Sequence, residues 1–198
     1  DRVERGAVPR GQDFVHAAMG ELEARRMRKF GFGVAIDEPY QHYQFAGRAD
    51  VVAWNLGARA LLHIENRTQF PNVQEALGSF ASKRAYLGSV LADRLGIGIE
   101  GWASETHVIA ALWSGEVVRV LRMRETTFRV ACPDGLEALD GWWAGSAHGL
   151  PRRSTILALM DPVSAVREPF RFGSLERVGG RWRYSNYAAA ASALKVAR

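Results

Sequence analysis

The chain has one cysteine, Cys132, in 198 residues. No internal disulfide can form and no cysteine zinc site can be assembled, so the composition suits a reducing cytoplasm. Long apolar runs are missing as well. No stretch approaches the ~18 residues a spanning helix needs, and the opening DRVERGAVPRGQ has no apolar leader region, so no membrane association is expected. The histidines are scattered, with no H-E-x-x-H pairing, and no serine stands in a G-x-S-x-G elbow. Zincin and serine-hydrolase chemistry are thereby excluded. Lysine is scarce, 3 against 23 arginines, a preference that by itself says nothing of phosphate contacts. Internal repeats and low-complexity segments are absent too. The first residue is Asp1 and not Met, which points to a processed chain or a piece of a longer one.

Hydrophobic residues make up 47% and charged ones 24%, the balance of a globular domain. The net charge of +5 is unevenly placed, because the last 48 residues carry 9 basic and 3 acidic side chains. A positive field at that end suits a polyanion such as DNA.

The stretch from Gly47 to Asn72, GRADVVAWNLGARALLHIENRTQFPN, carries the chemistry. Val51 to Asn55 reads as a strand, Leu56 to Arg59 as a turn and Ala60 to Arg67 as a second strand, together a hairpin. Alternation places Leu61, His63, Glu65 and Arg67 on one face. With Asp50 at the start of the partner strand, two carboxylates and a guanidinium converge. Carboxylates that close repel unless a cation lies between them.

This arrangement resembles the PD-(D/E)XK (restriction-endonuclease-like) nuclease superfamily, whose pattern is an acid, a gap, then Asp/Glu-x-Lys. Asp50 matches the first acid, Glu65 the second, and Arg67 stands where the family has lysine. The resemblance covers about Asp13 to Trp113. It implies an α/β restriction-endonuclease-like core built as helix, β-hairpin, strand, helix, strand over residues 13–125. A tail (1–12) precedes it, and a basic α+β C-terminal extension (126–198) packs on it. It also implies Mg²⁺ held by Asp50 and Glu65, Arg67 as the third member of the site, and a glutamate on the first helix. That helix is expected over Asp13 to Phe30. Of its acids, Glu21 lies nearer the Val15, Ala18, Leu22 stripe than Glu23, which is read as a surface residue.

Beyond the hairpin, Pro71 to Glu75 opens a helix that Asn72 caps and that runs to about Leu95. Lys83 invites the idea that the family's lysine has moved onto this helix. It lies nine residues beyond Gln74, however, half a turn around the axis, so if Gln74 faces the site Lys83 does not. Gln69, Gln74 and His63 are therefore the expected outer partners of the site. Gly96-Ile97-Gly98-Ile99-Glu100-Gly101 matches GxGxxG, but it follows a helix and precedes a strand, the reverse of a dinucleotide site. Thr106 to Trp113 and Val117 to Arg124 are expected to form a second hairpin. Leu136 to Trp143 and Asn186 to Val196 read as helices, and Ser154 to Met160 as a buried element. The stretch with Arg167, Phe170, Arg171, Phe172, Arg177, Arg181, Trp182, Arg183 and Tyr184 suits phosphate contact and base stacking. A plain hairpin around Gly179-Gly180 would read the same way. The DNA-binding candidates are Arg171, Arg181, Trp182 and Arg183.

Three classes of function follow. In the first, the chain is a Mg²⁺-dependent deoxyribonuclease, weakened because a guanidinium cannot act as a base. In the second it is an inactive nuclease-like module for DNA binding or transcription regulation, resembling that part of bacterial regulators with an upstream helix-turn-helix. In the third it is a protein-interaction domain.

Overall fold

A computed structural model describes residues 13–167, 172–174 and 181–197. One mixed sheet runs through it in the order β1-β2-β3-β4-β5-β6. Helix α1 (Phe14–Lys29) leads into β1 (Gly33–His42), β2 (Phe45–Asn55) and β3 (Ala60–Arg67), an antiparallel meander. Helix α2 (Val73–Leu95) then crosses to β4 (Ser104–Leu112), which is parallel to β3. This is the order of elements expected for the core.

Three short helices follow: α3 (Gly115–Met123), α4 (Glu125–Ala131) and α5 (Glu137–Trp143). Strand β5 (Arg153–Met160) pairs with β4 in parallel, and α6 (Pro162–Arg167), β6 (Phe172–Gly173) and α7 (Tyr187–Ala197) complete the described chain. The C-terminal segment thus joins the sheet through β5 and β6 and is not a body laid against it from outside.

Strand alternation explains the layers. Val51, Ala53, Leu62, Ile64, Val108, Ala110, Ile156 and Ala158 point to one face, where they pack with Met19, Met27, Leu139, Trp142 and Ala190 of α1, α5 and α7. Ile109, Ala111 and Leu159 point to the other, against Phe80 of α2 and Leu121 and Phe128 of α3 and α4, while Val52 and Leu61 meet Leu87 and Leu91 of α2. With helices on both faces, β3 is buried from Ala60 to Asn66.

The second hairpin is corrected to a helix. Ser114 caps α3, its Oγ accepting the Val117 N–H at 3.3 Å. Val117, Val118 and Leu121 are its buried face, a helical spacing. The topology requires this, because β4 continues to a parallel neighbour and a parallel pair needs a crossover.

Candidate functional site

The notch between β2 and β3 is made by their registers. β2 pairs with β1 from His42↔Phe45 to Gly33↔Trp54, with Asp50 skipped, but with β3 only from Val51↔Ile64 to Asn55↔Ala60. Beyond that point β3 stays with β4 as far as Arg67↔Ala111. The two strands part at Asp50, and the opening is filled by polar side chains.

Arg67 lies between the two expected acids. Its NH1 is 3.6 Å from Asp50 Oδ2 and its NH2 is 3.1 Å from Glu65 Oε2. Asp50 Oδ2 also accepts the Asn66 N–H at 2.8 Å and faces His16 Nε2 of α1 at 3.4 Å. Burial lowers the basicity of His16, but the bond and charge of Asp50, with the charge of Asp13, outweigh it and raise its pKa.

Glu65 is buried and fully engaged. Oε2 accepts from Lys83 Nζ at 2.6 Å and from Arg67; Oε1 accepts from His63 Nε2 at 3.0 Å and from the Asp50 N–H at 3.4 Å. Burial pushes its pKa up. The His63 bond, followed by the charges of His63, Lys83 and Arg67, overrides this and holds the carboxyl well below the usual range.

Two expectations from the sequence are corrected here. Lys83 reaches the site, whereas Gln74 and Gln69 are exposed to solvent. The half-turn separation of Lys83 from Gln74 is right, but the residue that faces inward is Lys83. The readable signal was its place beside Phe80 and Leu87 on the buried stripe of α2. On α1, Glu21 is exposed and Glu23 is fully buried. Glu23 sits four residues from both Met19 and Met27, an apolar row that the Val15, Ala18, Leu22 stripe obscured. Its Oε2 accepts from Asn66 Nδ2 at 2.9 Å, while Glu23 Oε1 and Asn66 Oδ1 are buried without a hydrogen-bond partner among the described residues. Burial, opposed by the Asn66 bond and reinforced by Asp50, pushes its pKa up to about 8.

His63 continues the network inward. Its Nδ1 is 3.2 Å from Nδ1 of His107, whose Nε2 is 3.1 Å from Glu105 Oε2. Glu105 accepts from His107, so the His107 Nε2 carries a proton and its Nδ1 faces His63. Burial pushes the His107 pKa down to about 4, against the Glu105 bond and with the charge of His63.

The candidate DNA residues lie apart from this notch. Arg181, Trp182 and Arg183 are exposed, with Arg183 over the Trp113 ring at 5.1 Å and 3.7 Å from Asp161. Arg171, with Phe170 and Arg177, lies outside the described residues.

The residues do not fit Mg²⁺ as expected. The position a shared ion would take between Asp50 and Glu65 holds a guanidinium, and both oxygens of Glu65 already accept two donors each. Among the described residues no group of three or more His, Cys, Asp or Glu is arranged to hold a metal. No helix among them is long and apolar enough to cross a membrane.

The sequence matches no protein-family profile. It matches no curated protein either. A solved structure of a protein of unknown function, AF1548, is similar at 15% identity over 92% of this chain and 96% of that one, with a TM-score of 0.33. That likeness is too slight to bear on function.

Proposed function

We propose that this chain is a nuclease-like α/β domain, similar in plan to the PD-(D/E)XK superfamily, that binds DNA as part of a regulator and does not hydrolyse it. The supporting observation is the Arg67 guanidinium bridging Asp50 and Glu65 at 3.6 and 3.1 Å. An internal cation there, together with Lys83 on Glu65, balances the two acids, and as a guanidinium it neither leaves with product nor accepts a proton from water. The buried Lys83–Glu65 ion pair, with His63 and His107 bonded behind it, then acts as a structural network that fixes β3 under α2. DNA affinity comes from the basic C-terminal part, with Arg181, Trp182 and Arg183 exposed on it. A reducing cytoplasm is the compartment that suits this role and the lone buried Cys132.

Hydrolysis is the second reading, favoured by the Lys83 ammonium on Glu65, which offers from α2 the lysine absent at position 67. A plasmid-nicking assay in Mn²⁺ separates the two. The parent, Glu65→Ala and Arg67→Lys are expected to leave supercoiled DNA intact, while Arg181→Glu with Arg183→Glu lowers duplex affinity in a gel shift. Nicking by the parent that Glu65→Ala abolishes overturns the proposal in favour of an enzyme. Absence of any DNA binding by the parent leaves the protein-interaction class.

A further inference from the structure

We propose that the cleft between α3 and the segment 182–185 is a subsite for an unpaired nucleotide of single-stranded DNA, with Trp182 stacking on the base and Arg119 and Arg122 taking the phosphates. This deepens the DNA-binding reading by naming the strand form and the place.

The cleft has a volume of about 360 Å³, the size range of small-ligand sites. Gly115 and Trp182 form one wall. A Cβ at position 115 would lie 3.3 Å from the indole Cδ2 and 3.0 Å from the Ser185 carbonyl oxygen, so the missing side chain lets the indole lie close against the start of α3. The rest of that ring is open, and Trp182 is 58% exposed. An indole held from behind and open in front is a stacking platform.

The platform is pinned. Gly115 N–H donates to the Tyr184 carbonyl at 2.8 Å, Arg183 N–H to the Trp113 carbonyl at 3.0 Å, and the Trp113 indole N–H to the Arg181 carbonyl at 2.9 Å. Little ordering remains to be done on binding, which favours affinity.

Charge identifies the ligand. Arg119 and Arg122, three residues apart and so on one side of α3, are exposed and line the cleft, and neither enters an ion pair among the described residues. The acid of the cleft, Glu116, accepts the Tyr187 N–H at 3.3 Å. Two free guanidiniums beside an open indole suit a ligand with a flat apolar face and adjoining negative charge.

The cleft also shares an edge of the sheet with the Asp50 notch. Arg67 pairs with Ala111, and Gly115 follows four residues later, so the two sites are no more than roughly 20 Å apart along neighbouring strands. Tyr187 joins them physically: its N–H meets Glu116 and its hydroxyl donates to Asp13, which also accepts from Thr68 just beyond Arg67. A strand seated on Trp182 therefore lies close to the carboxyl ends of β3 and β4, beside the notch.

The test is fluorescence anisotropy with a labelled oligothymidylate of about 12 nucleotides, a duplex of equal length and free thymidine monophosphate as competitor. The parent is expected to bind the single strand more tightly than the duplex. Trp182→Ala should weaken the single strand about tenfold or more and Trp182→Phe should restore most of it. Arg119→Gln with Arg122→Gln should lower the salt slope by about 1.4, the value for two phosphate contacts on a single strand. Circular dichroism checks that these surface variants fold. Unchanged single-strand affinity in both Trp182→Ala and the arginine pair overturns the subsite even where duplex binding persists, and then the DNA-binding reading survives without it. Equal affinity for duplex and single strand, or competition by the monophosphate at concentrations matching the oligomer, overturns it too. Loss of all binding in the parent overturns both.

Discussion

Lys83 Nζ and Glu65 Oε2 are 2.6 Å apart at the interface of α2 and β3, and both side chains are almost wholly shielded from water. A pair like this contributes little beyond an apolar pair of equal volume, but removal of one partner strands the other. Lys83→Met is therefore expected to cost about 3 kcal/mol, somewhat softened because Arg67 and His63 still serve Glu65. Urea unfolding of Lys83→Met, Glu65→Gln and the double variant measures it. A coupling energy below about 0.5 kcal/mol would mean that the two do not interact.

Glu23 gives the stability a pH dependence on the alkaline side. Its folded pKa, about 8, lies above the ordinary 4.5, so the folded state holds the proton more tightly than the unfolded chain. The contribution is complete below pH 4.5 and is lost as pH rises from there through 8, on the order of a few kcal/mol in all. Glu23→Gln keeps an amide carbonyl for Asn66 Nδ2 and has no proton to lose. Melting curves from pH 5 to pH 9 should show the parent losing stability steadily relative to the variant; parallel curves would show that Glu23 is ionised in the fold.

How far the sequence disclosed all this depends on the kind of signal. The order of elements through β4 was legible because strand alternation, the Asn72 cap and the Leu56 to Arg59 turn are local. Asp50, Glu65 and Arg67 were legible as a group because a hairpin fixes which residues meet. Lys83 and Glu23 were hidden for one reason: each is a charged residue on a buried helix stripe, and a periodicity rule that sorts charge outward misplaces it. The α3 helix was missed because Val117 to Arg124 is rich in β-branched residues, and only the parallel neighbour β5, far along the chain, imposes a crossover. His107 was passed over since its partner His63 is 44 residues away and meets it only through the β3–β4 register.

The His63–His107 contact makes a prediction on the acid side. With His107 held near 4, below the ordinary 6.5, the unfolded chain takes up a proton that the folded state refuses. Stability from this group is present above pH 6.5 and is lost as pH falls through that value toward 4. Two-bond proton–nitrogen correlation spectra near neutral pH should show His107 neutral and protonated on Nε2 alone, the nitrogen that faces Glu105. A doubly protonated His107 ring at that pH would overturn this.

The last prediction concerns the cation between Asp50 and Glu65. If Arg67 stands in the place of a metal, the intact protein gains nothing from a divalent ion, since a ligand stabilises a fold only by binding it more tightly than the unfolded chain. Millimolar Mn²⁺ should therefore leave the melting temperature of the parent unchanged. Arg67→Ala removes the guanidinium and leaves Asp50 facing Glu65 with a vacancy between them. The variant should melt lower without Mn²⁺, because among the described residues Asp50 then keeps only the side-chain contact to His16, and Mn²⁺ should recover part of that loss. In the double variant Arg67→Ala with Glu65→Gln the recovery should vanish, because one carboxylate holds such an ion too weakly. An Mn²⁺-dependent rise in the parent itself would show that the acids take a metal with Arg67 in place, and the hydrolytic reading would then stand ahead of the regulatory one.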